Sequence, residues 1–255
     1  MTSLDPPTKK TRKSPLLFDE ILEVIKNNDI EQLLTWLDDG SILNVDMKSG
    51  PDLEYSSLLL MASEIGKISS VRLLLKYGAS IHQENRDLNT PIGVACHMGR
   101  LDIVKLLHSR GADLDDDFIL LATCQSGHIE VVRYLLDHGA DINRERNGSG
   151  TPLGAACSYG HLDVVKFLIA RDANINFMHY DRFDDVICNP LAAACCDNHT
   201  EIAKYLVSAG ADVLVGTPLA EICYHNVDLI NYLLDHGYLL QPYNSGFGMR
   251  PRREC

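Results

Sequence analysis

The sequence predicts an all-α solenoid of stacked helix–turn–helix units whose connections form β-turns or finger loops. A pattern built on Thr-Pro-Leu recurs along most of the 255 residues, with a mean period of about 33 residues. Each copy continues with a first helix rich in small residues, then a Gly, then an apolar second helix. A lone helix pair cannot bury its apolar stripe, whereas stacked copies bury a continuous core.

The copies align on the position that Thr occupies in the clearest of them. The aligned residues are Asp19, Ser57, Thr90, Phe118, Thr151, Asn189 and Thr217. Their successive spacings are 38, 33, 28, 33, 38 and 28 residues. Every departure from 33 is five residues, so insertions and deletions fall in one place, the connection before the Thr position.

Each part of the clearest copy, residues 151–169, has a physical role. Thr151 can cap a helix N-terminus, and Pro152 suits the first turn, where a backbone N–H has no helical partner. Gly160 permits a tight turn between the two helices. The second helix carries one apolar stripe at helical spacing, and its members are Leu162, Val165, Leu168 and Ile169.

This pattern resembles the ankyrin-repeat family over about residues 16–240, most specifically in the copies at Thr90, Thr151 and Thr217. The resemblance implies about seven stacked repeats, the first of them a solvent-facing cap. It also implies a concave groove, built from the finger loops and the ends of the first helices. The function it implies is a non-catalytic scaffold or adaptor that binds a segment of a protein partner in that groove.

In the family, the two residues before the inter-helix Gly point into the groove. Here these positions hold Glu64, Ile65, His97, Met98, Gln125, Ser126, Ser158, Tyr159, Cys196, Asp197, Tyr224 and His225. The copies share their core residues and differ at these positions. Tyr159 and Met98 are of types that protein interfaces use often. We therefore expect this row to contact the partner.

The connection before Asn189 is five residues longer than the usual one and is rich in aromatic and apolar side chains. Its candidate contact residues are Phe177, Met178, His179, Tyr180 and Phe183. A three-residue spacing of the aromatics predicts a short helical turn that brings them to one side. Neighbouring aspartates suit a basic partner peptide. The alternative is that the loop folds back on its own repeat.

Charge divides the chain into a disordered basic tail at residues 1–15, the repeat domain at 16–240, and a basic C-terminal tail at 241–255. The formal net charge is −12. Without residues 1–15 and 250–255 the chain keeps 16 basic and 33 acidic residues, a net charge of −17. Such a body repels phosphate backbones, so we expect no nucleic-acid binding by the folded part.

The sequence predicts a monomer of the cytoplasm, the nucleus or both, without membrane contact. No run approaches the roughly 18 apolar residues that span a bilayer. The polar N-terminus lacks the apolar segment of a secretory signal. Within it, a short basic run resembles a nuclear-import signal, with a solvated tail as the alternative. The run comprises Lys9, Lys10, Arg12 and Lys13.

Cysteine recurs at one position, six residues after the Thr position. The residues there are Ser63, Cys96, Cys124, Cys157, Cys195 and Cys223. One interpretation is a thiol ladder for metal binding or redox sensing; the other is a set of small buried apolar side chains. Equivalent positions in stacked helices lie roughly 8–10 Å apart. Because a disulfide needs Cα atoms within about 7 Å, the spacing favours packing.

Motifs for catalysis, cofactors and metals are absent from the sequence. It contains no H-E-x-x-H, paired C-x-x-C, Gly-rich phosphate loop or G-x-S-x-G. His128 and His161 follow the inter-helix Gly, and His138 and His236 precede the closing Gly, which suggests structural roles. We therefore expect a protein that is not an enzyme and that needs no cofactor and no metal.

Two other functions stay open at this stage. Residues 151–169 are similar to repeats found in substrate-recognition subunits of ubiquitin ligases. The cysteine ladder leaves a metal-binding or redox-sensing protein as a less favoured third function.

Overall fold

The computed structural model of the chain describes residues 17–50, 56–85, 89–114, 118–145, 150–180, 186–214 and 226–237. These residues form paired helices joined by turns, together with one short hairpin, which confirms the predicted all-α repeat fold. The chain forms two compact units that divide after Leu114. We call them unit 1 and unit 2.

Unit 1 contains three consecutive helix pairs in its described part. The first helices pack side by side, and so do the second helices. Their apolar stripes are fully buried, as at Leu59 and Leu74, because each pair covers its neighbour. The helices are α1 (Phe18–Lys26), α2 (Ile30–Asp38), α3 (Leu58–Ile65), α4 (Ile68–Lys76), α5 (Pro91–His97) and α6 (Leu101–Ser109).

Unit 2 repeats this arrangement. The first helices pack in the order α7, α9, α11, and the second helices in the order α8, α10, α12, α13. A two-stranded antiparallel hairpin precedes α11. The elements are α7 (Ile119–Ser126), α8 (Ile129–Asp137), α9 (Pro152–Ser158), α10 (Leu162–Ile169), β1 (His179–Tyr180), β2 (Val186–Cys188), α11 (Pro190–Cys196), α12 (Thr200–Ser208) and α13 (Val227–Asp235).

The Thr position is the N-cap of the first helix. The Thr151 hydroxyl accepts a hydrogen bond from Gly154 N–H at 3.2 Å, and the Asn189 carboxamide oxygen accepts one from Ala192 N–H at 2.7 Å. Two further first helices begin in the same way, with the caps Ser57 and Thr90. At α1 the N-cap is Leu17, two residues before the aligned Asp19. The cap bonds explain why polar residues recur at these positions.

The cysteine position lies in the core of both units. Every described member is at most 2% exposed, and these members are Ser63, Cys96, Cys124, Cys157 and Cys195. Cys223 lies outside the described residues. Burial raises the pKa of the Cys96 thiol to about 12, and it raises that of Cys124 as well, so both stay protonated at neutral pH. These thiols therefore act as small apolar side chains.

Consecutive repeats of unit 2 are joined at the turn between the helices of each pair. Gly160 adopts φ +82°, and a Cβ atom there would lie 2.6 Å from Cε1 of His199 in the following repeat. The His199 Nε2–H donates to the Ser158 carbonyl at 2.9 Å. Glycine therefore makes room for the ring that holds the preceding helix end. The same arrangement occurs one repeat earlier, with Gly127, His161 and Gln125.

A second set of contacts joins the second helices of unit 2 on their solvent side. The Arg133 guanidinium lies 4.5 Å from the centroid of the Phe167 ring in the next repeat. Lys166 lies 5.5 Å from the Tyr205 ring, and Lys204 lies 5.9 Å from the Tyr232 ring. Each contact of this kind is worth about 0.5–1 kcal/mol at an exposed site.

Replacing the thiol of Cys124 tests its role in packing. We expect Cys124→Ala to lower the free energy of unfolding by about 1 kcal/mol, because only a small apolar group is lost. Cys124→Asp should lower it by about 3 kcal/mol or more, because the carboxylate has no buried partner. Urea unfolding measures both changes. Rapid maleimide labelling of Cys124 in the native protein would contradict its burial.

Two glycines of one repeat make a matched pair for testing the turn. We expect Gly160→Ala to destabilise the protein by roughly 2 kcal/mol, because the left-handed backbone and the His199 ring both oppose a methyl group. Gly154→Ala should be neutral or stabilising by up to about 1 kcal/mol, since a Cβ there meets only Thr151 Oγ1 at 3.5 Å. Thermal unfolding compares the two variants, and equal effects would refute the close contact.

Candidate protein-binding surface

The groove positions predicted from the sequence lie where the first helices end. In unit 2 the described members are Gln125, Ser126, Ser158, Tyr159, Cys196 and Asp197. We call these six residues the unit 2 row. Because α7 packs on α9 and α9 on α11, the structure places the three helix ends next to one another. The remaining predicted members of unit 2, Tyr224 and His225, lie outside the described residues.

The unit 2 row is not uniformly accessible. Gln125, Ser126 and Ser158 are half-buried, whereas Cys196 and Asp197 are exposed. Tyr159 is 60% exposed although it is one of the largest side chains of its repeat. A ring in that position exposes apolar surface that a partner could cover.

In unit 1 the same positions hold Glu64, Ile65, His97 and Met98. Glu64 and Ile65 are half-buried, and His97 is exposed. Met98 is 37% exposed. At the ends of α3 and α5 the most exposed large apolar side chain is Met98, which is less exposed than Tyr159 in the unit 2 row.

The backbone around Tyr159 is held from both sides. The Tyr159 N–H donates to the Ala155 carbonyl at 3.1 Å, which closes the last turn of α9. The preceding carbonyl, on Ser158, accepts from His199. The side chain thus projects from a fixed helix end, and no hydrogen bond occupies its hydroxyl group among the described residues. Preorganisation of this kind lowers the entropy cost of binding.

Charge at the unit 2 row is negative. Asp197 is exposed at the C-terminus of α11, where the helix dipole does not favour an anion. Within the described chain it forms no ion pair, so its carboxylate is available to a partner. Residues 115–237 contain 7 basic and 18 acidic residues, a net charge of −11. A positively charged ligand is therefore attracted to unit 2 as a whole.

The long connection forms a hairpin, so the predicted helical turn is wrong. Residues 179–180 pair with residues 186–188 in antiparallel register. An extended backbone at residues 179–180 is incompatible with a helical turn through Tyr180. Phe177 and Met178, just before the hairpin, are half-buried. Phe183 lies outside the described residues.

Sequence reasoning missed one feature beside Asp197. Asn198 occupies the position of the inter-helix Gly with φ +59°. Asn226 in the next repeat donates through Nδ2 to Asn198 Oδ1 at 2.7 Å and to Thr200 Oγ1 at 2.8 Å. The absence of Gly between Asp197 and His199 was the available signal. These hydrogen bonds of the Asn226 side chain help to join two repeats at the edge of the row.

Two of the described histidines bond to the backbone of their own helices. His138 and His236 lie at helix C-termini, where each Nδ1–H donates at 2.7 Å to the carbonyl of Tyr134 or Tyr232. In the described part of the chain, His, Cys, Asp and Glu do not cluster in a way that could hold a metal ion. The helices described above are also too short to cross a bilayer.

Comparison with known families gives matches along most of the chain. The family described as "Ankyrin repeats (3 copies)" matches residues 21–118 and 115–179. The family described as "Ankyrin repeat" matches residues 188–218.

Known proteins resemble part of this chain. Protein phosphatase 1 regulatory subunit 27 of Mus musculus and of Homo sapiens are each 34% identical over 96 residues, which is 37% of this chain and 58% of theirs. The transient receptor potential cation channel subfamily A member 1 of Drosophila melanogaster is 37% identical over 90 residues, 34% of this chain and 8% of the channel. The chain thus matches little more than half the length of the phosphatase subunits.

Among solved structures, the ankyrin repeat domain of human ASB11 matches with a TM-score of 0.74. The match covers 88% of this chain and 99% of that domain at 24% identity, so it supports the fold alone. The repeat geometry, the capped first helices and family matches over more than half of the residues lead to one assignment. The chain belongs to the ankyrin-repeat family.

Proposed function

We propose that this protein is a non-catalytic adaptor that binds a segment of a partner protein at the ends of its first helices. The proposal rests on the difference between the residues at the core positions and the residues of the row. The core positions of successive repeats hold the same residue types, whereas the row holds different and more exposed ones. Packing accounts for the repeated residues and leaves Tyr159 without a structural role.

The chemistry of the unit 2 row favours a basic partner segment with an apolar anchor. Tyr159 offers an aromatic surface, and aromatic side chains often dominate binding energy. At the neighbouring helix end, Asp197 adds a carboxylate that forms no ion pair with another described residue. The negative charge of unit 2 would speed the approach of a basic segment.

The relatives support contact with proteins without identifying the partner. One matching protein is named as a phosphatase regulatory subunit and another as a cation channel. What they have in common with this chain is the repeat segment. We therefore infer a shared binding architecture and assign neither the phosphatase nor the channel to this chain.

A substrate-recognition subunit of a ubiquitin ligase is the alternative adaptor role. Co-purification distinguishes the two roles, because a receptor subunit co-purifies with ligase components and a simple adaptor does not. The exposure of Tyr159 is compatible with both roles, so the surface proposal holds for either.

Replacing Tyr159 tests the surface directly. We expect Tyr159→Ala to weaken partner binding at least tenfold, about 1.4 kcal/mol, because an exposed anchor is lost. The melting temperature should change little, since the side chain is already 60% exposed. Quantitative affinity capture compares the variant with the parent. Adding Tyr180→Ala extends the test to the hairpin.

Val227→Ala is the matched control, because Val227 is 64% exposed on the second helix α13. It should leave binding unchanged. Asp197→Lys should weaken binding more at low salt than at high salt, because salt screens the interaction of an exposed charge. If Tyr159→Ala binds as the parent does, the row is not the partner site. If it melts much earlier, the ring belongs to the core.

We also propose that the basic run of the N-terminal tail directs nuclear import. Lys9, Lys10, Arg12 and Lys13 lie outside the described residues, so the proposal rests on their sequence. Replacing all four by Ala should move a fluorescent fusion from the nucleus to the cytoplasm. The fusion must be large, because a 28.3 kDa chain is small enough to diffuse. An unchanged distribution would leave the run as solvated charge only.

A further inference from the structure

The chain itself contains a segment whose chemistry matches that of the unit 2 row. The C-terminal tail, residues 241–255, lies outside the described residues and follows α13 in the sequence after residues 236–240. It carries three arginines against one acidic residue, so its net charge is +2. It also contains apolar groups before the arginines, namely Tyr243, Phe247 and Met249.

We propose that the C-terminal tail binds the unit 2 row and competes there with the partner segment. The proposal rests on the proposed function, since it uses the same surface. Tyr159 offers an exposed ring to an apolar tail residue, and Asp197 offers an arginine a carboxylate that forms no ion pair within the described residues. The net charge of −11 on residues 115–237 attracts the tail and opposes a second copy of the same unit.

The connection is long enough for this contact. Tyr159 lies two repeats before α13, a step of roughly 20 Å at ordinary helix spacing. The nine residues of α13 add about 13 Å along the helix. The ten Cα–Cα steps from Gly237 to Phe247 span up to about 33 Å when fully extended, which exceeds the roughly 25 Å that the two distances combine to.

Tethering strengthens a weak contact. A segment joined to its binding site by a short linker has an effective concentration in the millimolar range there. A tail with only moderate affinity therefore fills the row most of the time. An external partner must then bind more tightly than the tail, or arrive at higher concentration. The tail thus sets a threshold for partner binding.

A labelled peptide tests the competition. The probe is residues 241–255 with Cys255→Ser and a fluorophore at its N-terminus, titrated to about 1 mM, the effective concentration of a tethered segment. The full chain is compared with the full chain carrying R250E, R252E and R253E, the charge-reversed chain. We expect the charge-reversed chain to bind the probe at least tenfold more tightly, because its own tail no longer competes.

Further arms separate the outcomes. Tyr159→Ala in the charge-reversed chain should weaken probe binding at least tenfold. Equal probe affinity of the parent and the charge-reversed chain, or no binding by either, overturns the tail proposal. Such a result leaves the proposed function standing if Tyr159→Ala still weakens partner capture. If Tyr159→Ala changes neither probe nor partner binding, both proposals fail.

A cross-link measures the contact within one chain. Cys196 is an exposed member of the row, and Cys255 belongs to the tail. A short bismaleimide should join them at least fivefold faster in the parent than in the charge-reversed chain. The rate in the charge-reversed chain measures random encounters between the two thiols. Cys196→Ser identifies the product. Equal rates, or a cross-link only between two chains, would overturn the proposal.

Discussion

The described structure of unit 2 depends on a contact in which a missing Cβ atom makes room for an imidazole ring. At Gly160 the left-handed turn brings the backbone close to His199, whose Nε2–H holds the Ser158 carbonyl. The ring belongs to one repeat, and the carbonyl belongs to the repeat before it. The contact therefore fixes the distance between neighbouring first helices and satisfies a helix end that would otherwise lack a partner. The same distance allows the apolar side chains of neighbouring repeats to pack against one another.

This contact also determines where the proposed binding surface lies. Tyr159 stands between the held Ser158 carbonyl and the glycine, so its backbone is fixed while its side chain remains outside the core. The residues that hold the repeats together are thus immediate neighbours of the residues that vary between them. The junction and the proposed binding surface therefore use adjacent residues of the same turn, and we expect a substitution of the Tyr159 side chain to change the surface and leave the junction intact.

The sequence allowed the fold to be predicted because its signals are local. A polar cap, a proline and an apolar stripe act within one helix pair, and the buried cysteines follow from their fixed place in that pair. The hairpin before α11 could not be predicted from the spacing of Phe177 and Tyr180, because strand pairing depends on residues 186–188 across the loop. The contact between Arg133 and the Phe167 ring joins two repeats, so the periodicity within one repeat does not reveal it.

The hairpin before α11 shows how such a chain can acquire new specificity. It occupies one of the two connections that are five residues longer than the usual spacing, and α11 still begins at its Asn189 cap. The entropy cost of closing a loop rises only with the logarithm of its length, by about 0.6 kcal/mol per doubling. Insertions at this point therefore cost little and leave the stacked helices undisturbed. Natural selection can lengthen, shorten or rewrite these connections while the scaffold stays constant.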